Sequence, residues 1–208
     1  MRAFPIVVAS LLLLLSPVRT AAADDLLARA GAVNPGLHTF KATMQAHVAL
    51  TSFPFLATDI VATYYHKDPD RDKLEIVSGL PGVAKEFSKL YPHIEPPLRW
   101  NETFIVTKSG DDGSKTTFKL VPRKHGNIDH IDAVIDDSAA TILSMRWNYY
   151  NGGWAAMDNT YAQIGGYTVV ASQTGHVEEP SYKGNITSTI TGYTFNPDLP
   201  DSTFEETQ

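Results

Sequence analysis

The sequence predicts a mainly β fold: a curved antiparallel sheet, in the form of a half-open barrel, with an N-terminal helix and a short helical lid. Three observations predict it. Apolar and polar residues alternate with a period of two in segment after segment. Short turns rich in Gly, Asn and Asp separate those segments. The period changes to that of a helix in two places, near the start of the chain and within a proline-bracketed insertion.

Asp24 to Val33 reads as a short amphipathic helix, with Leu26, Leu27 and Ala30 spaced for one face and Asn34-Pro35-Gly36 as its stop. From Leu37 to Leu50 the even positions Phe40, Ala42, Met44, Ala46, Val48 and Leu50 are apolar, and Lys41, Thr43, Gln45 and His47 fall between them. That alternation marks a half-buried strand. The pattern returns over 55–66, 73–78, 102–108 and 115–121, the last two forming a hairpin around the turn 109–114. Further strands follow over 128–135, 141–149, 155–163, 167–173 and 185–195, which together describe an antiparallel meander.

Between the third and fourth strands the rhythm breaks. Pro81, Pro92, Pro96 and Pro97 punctuate the stretch 79–100, and Leu80, Val83, Phe87, Leu90 and Tyr91 fall on one face of a helix running over 82–91. A short apolar-faced helix at this point can cover the open side of a curved sheet, either as a fixed plug or as a movable lid.

The first residues predict export. Arg2 supplies a positive start, Ile6 to Leu15 an apolar run too short to span a bilayer, and Ala21-Ala22-Ala23 a small-residue cleavage site. Residues 1–23 are therefore expected to be a signal peptide, and 24–208 a single domain outside the cytoplasm, most plainly a bacterial periplasm. Removing Arg2 and Arg19 leaves 15 basic residues against 23 acidic ones, a net charge of −8. A nucleic-acid binder needs clustered Lys and Arg to neutralise phosphate, so that class is excluded. The chain has no cysteine, so its stability has to come from a packed core, and no lipidated cysteine can follow the cleavage site. After cleavage no run of membrane-spanning length remains.

Recognisable catalytic or metal motifs do not assemble. His130 and Asp132 share one strand face, with Asp129 expected on the other, and two side chains do not close a coordination shell. No Gly-x-Ser-x-Gly elbow is present, and thiol chemistry is impossible without cysteine. The pairs Gly152-Gly153 and Gly165-Gly166 stand between strands and read as turns, not phosphate cradles. Asp111-Asp112, Asp136-Asp137 and Glu178-Glu179 lie in turn-like surroundings, where a solvated tip is the ordinary role of a carboxylate. The expectation is a protein that is not an enzyme and takes no cofactor or metal.

Three stretches stand out together: the opening Asp25-Leu26-Leu27-Ala28-Arg29 followed by Phe40-Lys41-Ala42-Thr43-Met44, the central Phe118-Lys119-Leu120-Val121-Pro122-Arg123, and Tyr193-Thr194-Phe195-Asn196-Pro197 near the end. They resemble, in that order, the first helix and first strand, the central strand and the last strand of the LolA/LolB superfamily of periplasmic lipoprotein carriers. The resemblance implies a half-open barrel with a helical lid over an apolar cavity, and a soluble carrier of lipid or lipoprotein acyl chains working between envelope donor and acceptor proteins. The expected cavity and lid residues are Phe40, Met44, Val48, Leu80, Val83, Phe87, Leu90, Leu143, Met145 and Trp147, with Val83, Phe87 and Leu90 facing the same cavity as Met44 and Trp147. The alternatives are an envelope sensor or protein-interaction module on the same fold and, further off, a hydrolase using a carboxylate pair.

Overall fold

The structure, a computed structural model, describes residues 20–52, 57–79 and 95–205. Leu80, Val83, Phe87 and Leu90, with the expected helix over 82–91, lie outside the described residues, as does the apolar run of the expected signal segment. One helix, α1 (Thr20–Gly31), precedes ten strands: β1 (Thr39–Leu50), β2 (Ala57–Lys67), β3 (Arg71–Ser78), β4 (Phe104–Asp111), β5 (Lys115–Pro122), β6 (Ile128–Asp136), β7 (Ile142–Tyr149), β8 (Trp154–Ile164), β9 (Tyr167–Glu178) and β10 (Lys183–Phe195). A 3-10 turn (Pro97–Arg99) leads into a one-turn helix, α2 (Trp100–Thr103), ahead of β4.

All ten strands join one sheet in the order β3-β2-β1-β10-β9-β8-β7-β6-β5-β4. Each neighbouring pair is antiparallel. The sheet stays open, because β3 and β4 are its two edges. The chain builds β1 to β3 outward in one direction, crosses to the far edge, and returns through β4 to β10 until β10 closes against β1.

Antiparallel pairing puts directly opposed residues on the same face. One such row runs without interruption through Val48, Ile186, Gly175, Met157, Met145, Ala133 and Phe118. A second runs through Leu50, Gly184, Val177, Ala155, Trp147, Ile131, Leu120 and Val106. These rows define an inner face, and α1 packs on one half of it. Leu26, Leu27 and Ala30 of α1 meet Phe118, Leu120, Ile131, Ala133, Ile135, Met145 and Trp147, with Trp100 of α2 buried in the same cluster. Burying a side chain of this size contributes about 1.5–3 kcal/mol.

α1 begins at Thr20, four residues ahead of the start the sequence suggested, and ends at Gly31. Its stop is held by Asn34, whose side chain accepts from the backbone N–H of Thr168 and donates to the Thr168 carbonyl, both at 2.8 Å. Gly31 is required by packing. A Cβ on it would stand 2.6 Å from the Leu98 Cβ, so the 3-10 turn could not approach the helix. Glu102 and Thr103, expected in a strand, belong instead to α2, because the turn that starts at Pro97 continues for one more helical turn to bury Trp100. The next strand then runs on to Asp111, into the expected turn 109–114, through a bulge between Lys108 and Gly110.

Gly31→Ala is expected to lower the urea midpoint by an amount equivalent to about 1–3 kcal/mol, as overpacking does. Gly126→Ala, where a Cβ meets nothing within 4 Å, is expected to leave the midpoint unchanged.

Candidate functional site

The half of the inner face that α1 does not reach is walled by β1, β2 and β10. Ala42, Met44, Ala46, Val48, Ile60, Ala62 and Ile190 form its buried cluster, and Phe40, Leu74, Ile76, Val170, Ile186 and Tyr193 pack around them. The alternation of β1 explains the composition: its even positions all turn inward. Three of the buried positions are alanines standing beside Met44 and Ile60.

Of the ten expected cavity and lid residues, Met44 and Val48 are buried in this wall and Phe40 is half-buried at its end. Met145 and Trp147 lie on the same inner face but within the other cluster, under α1 and Trp100. Met44 and Trp147 thus fall in two different buried clusters of the inner face, which meet along β9. There Gln173 and Gly175 take the inward positions between them. Leu143 is half-buried and joins neither cluster among the described residues. A bulge pairs Ile142 with Ile135 and Ser144 with Val134, so Ile142 takes the inward place expected of Leu143. Periodicity cannot anticipate a bulge, since it inserts one residue and reverses the phase beyond it.

An aromatic group closes one end of the β1–β2–β10 wall. Phe40 stacks on His66 with ring centroids 5.0 Å apart, meets Tyr64 edge-on at 5.2 Å and Tyr193 at 5.5 Å. His66 Nδ1 lies 2.9 Å from Asp72 and Nε2 3.4 Å from Asp68, while the Tyr64 hydroxyl donates to Asp72 at 2.8 Å. Burial by itself lowers the His66 pKa, but the hydrogen bonds and charges of Asp72 and Asp68 outweigh it, and the net direction is upward. Nearer the middle of the sheet the Tyr161 hydroxyl donates to the Ile142 carbonyl at 2.8 Å, and burial pushes its pKa to about 12.

The polar residues singled out in the sequence are occupied in local structure. The bulge between Ile128 and His130 brings Asp129 beside His130, at 2.7 Å, which corrects the expectation that the two lie on opposite faces. The other ring nitrogen of His130 faces Asn148 at 3.2 Å and Asp132 at 3.4 Å. No group of three or more His, Asp or Glu among the described residues is arranged to hold a metal ion. Asp112 is held below the ordinary carboxylate range by the backbone N–H groups of Ser114 and Lys115, and Asp136 by the N–H of Ala139 and the hydroxyl of Ser138. Both are turn-forming caps. Glu178 pairs with Lys183, and Glu179 accepts from Asn151 at 2.8 Å. Gly152, Gly165 and Gly166 all have positive φ and make turns between strands.

On the outer face a depression of about 620 Å³ crosses β2, β1, β10 and β9, with His47 Nδ1 2.8 Å from Asp59 and the hydroxyls of Ser172, Thr174, Thr187 and Thr189 around it. It is shallow and hydroxyl-lined, in contrast to the apolar inner wall.

The described residues thus form an open antiparallel sheet with an apolar inner face and a helix laid across half of it. Three solved structures share the arrangement. One is a domain from Vibrio parahaemolyticus described as an outer membrane lipoprotein-sorting protein, with a TM-score of 0.64 and 10% identity over 87% of this chain and 95% of that one. A LolA superfamily protein from Nitrosomonas europaea gives a TM-score of 0.63 and 10% identity over 88% and 97%. A DUF1329 family protein from Desulfovibrio piger gives 0.64 and 12% over 89% and 96%. The chain has a LolA-like fold. No family model matches the sequence, and no curated protein matches it.

For His66 the folded-state pKa lies above the unfolded one, so its contribution to stability is fully present below about 6.5 and is lost as pH rises through the raised value. His66→Gln is accordingly expected to lower the urea midpoint more at pH 5.5 than at pH 9. An equal deficit at both would contradict the assignment.

Proposed function

We propose that this chain is an exported carrier that holds an acyl chain, from a lipid or a lipoprotein, against the inner wall formed by β1, β2 and β10. The observation that carries the reading is the composition of that wall: Met44, Val48, Ile60 and Ile190 with Ala42, Ala46 and Ala62 between them, on a fold shared with a lipoprotein-sorting domain. Each methylene removed from water contributes about 0.8 kcal/mol, so a chain of a dozen carbons is held without a covalent bond. The mode of action is capture and release, with no chemical step. In this reading Leu80, Val83, Phe87 and Leu90 form the movable apolar cover, and envelope proteins act as donor and acceptor.

Export supports the same reading. Cleavage after Ala23 would remove the first four residues of α1 and leave Asp24 and Asp25 in its first turn, where carboxylates complement the helix dipole. Leu26, Leu27 and Ala30 would remain to hold the helix on the sheet. N-terminal sequencing of the exported protein is expected to begin at Asp24; an intact Met1 would overturn this part of the reading.

A second reading, an interaction module with no cargo, is favoured by the filled half of the inner face, where α1 and Trp100 leave the β5–β7 core packed. Mass spectrometry of organic extracts separates the two. Protein purified from the cell envelope without detergent is expected to carry acyl lipid in a ratio approaching one per chain. Ala46→Phe, which fills the wall, and Phe87→Asp are each expected to reduce it at least fivefold with the β-sheet circular dichroism retained. Acyl lipid absent from the unmodified protein would leave the interaction module standing.

A further inference from the structure

On the face opposite the apolar wall, the depression over β2, β1, β10 and β9 is floored by two adjacent cross-strand rows. Asp59, His47, Thr187 and Thr174 are paired in the first row, and Val61, Gln45, Thr189 and Ser172 in the second. Interstrand steps of about 4.8 Å give each row a length of about 14 Å, and two residues along a strand set the rows about 7 Å apart. The space above this floor is about 620 Å³. Small-molecule sites commonly have that size.

The side chains of this floor have hydrogen-bonding capacity left over. Gln45, Thr174, Thr187 and Thr189 are exposed, and none of the four has a side-chain hydrogen bond among the described residues. Ser172 is engaged with Thr160 at 2.6 Å. Asp59 Oδ1 lies 2.8 Å from His47 Nδ1, which fixes the ring, presents Nε2 of the neutral imidazole as an acceptor and leaves Asp59 Oδ2 open. Hydroxyls and an amide both donate and accept, whereas the carboxylate and the free ring nitrogen only accept. Such a set matches a ligand with closely spaced groups that each donate and accept.

Other ligand classes meet an obstacle here. No Lys or Arg lines the depression and Asp59 is its charged group, so a phosphate or a nucleic acid finds no counter-charge. Each of the four strands is paired on both sides, so an extended peptide finds no open edge to join. An apolar chain would cover the hydroxyls and deprive them of water. We propose that the depression binds a neutral oligosaccharide. Gln45, Thr174, Thr187 and Thr189 exchange hydrogen bonds with its ring hydroxyls, Asp59 Oδ2 and His47 Nε2 accept from two more, and Val61 lies against ring C–H groups. The site is on the other side of the sheet from the acyl wall and does not rest on the carrier reading. The inner face stays free while the outer face is engaged.

The test is an amide NMR titration of the isotope-labelled full chain with maltotriose, triacetylchitotriose and trigalacturonic acid. At least one of the two neutral trisaccharides is expected to shift the amides of 45–47, 59–61, 172–174 and 187–189 with a Kd on the order of 1 mM, since each sugar hydrogen bond replaces bonds to water. Trigalacturonic acid is expected to bind at least about fivefold more weakly, because its carboxylates face Asp59. Thr187→Val combined with Thr189→Val keeps shape and strand propensity and is expected to weaken the neutral sugar about tenfold. Thr43→Val, on β1 outside the depression, is expected to bind as the unmodified protein does. The tighter of the neutral trisaccharides tells an N-acetylated glycan from a plain glucan. The proposal is overturned if neither shifts these amides at the highest soluble concentration, if trigalacturonic acid binds equally well, or if the double variant retains full affinity.

Discussion

Everything in this molecule depends on the side-chain parity of the sheet being carried through cross-strand register. A strand presents its side chains alternately to two faces, and a one-residue slip would turn a whole apolar set outward. The row from Val48 through Ile186, Gly175, Met157, Met145 and Ala133 to Phe118 keeps that parity across seven strands. α1 then has an apolar surface to pack against, and the β1–β2–β10 wall is apolar on the same face. Bulges between Lys108 and Gly110, Ile128 and His130, and Thr160 and Tyr161 alter the phase locally and leave the rows intact.

An open sheet leaves two edges whose backbone groups could pair with another chain. At the β4 edge, the bulge after Lys108 and the Lys108–Asp111 ion pair interrupt the strand. The β3 edge is treated differently, with the C-terminal segment tied along it. Lys67 donates to the Leu199 carbonyl at 2.9 Å, Lys73 to the Thr203 carbonyl at 2.6 Å, and Arg71 lies 2.7 Å from Asp201. Arg99, just ahead of α2, reaches Asp70 in the turn between β2 and β3 at 2.7 Å. The return from the crossing segment is thus fastened to the opposite end of the sheet. These contacts lie at the surface, at most part-buried, and are individually weak, so their effect is to set position rather than to supply most of the stability.

Much of this was legible beforehand. The inward set of β1 was read correctly from alternation, because that strand pairs with both neighbours in near-regular register and the period of two survives intact. Leu26, Leu27 and Ala30 were identified as the buried stripe of α1 for the equivalent helical reason. Leu143 and Asp129 were misplaced by one residue each, since a bulge is set by what the neighbouring strand offers and leaves no mark in the alternation of its own strand. Gln173 and Ser188 were not singled out at all. In the sequence they are polar residues among other Ser, Thr and Gln in polar-rich strands, and only pairing with each other and with Asn159 distinguishes them.

By itself the sequence determined which segments are strands, which face of each is apolar, and that the stability of a cysteine-free chain rests on a packed core, because those properties follow from local periodicity and composition. Only the tertiary structure decided that the inner face divides into two apolar clusters with a polar row between them. That division is made by residues far apart in the chain, and it exists only once β8, β9 and β10 lie side by side in one register.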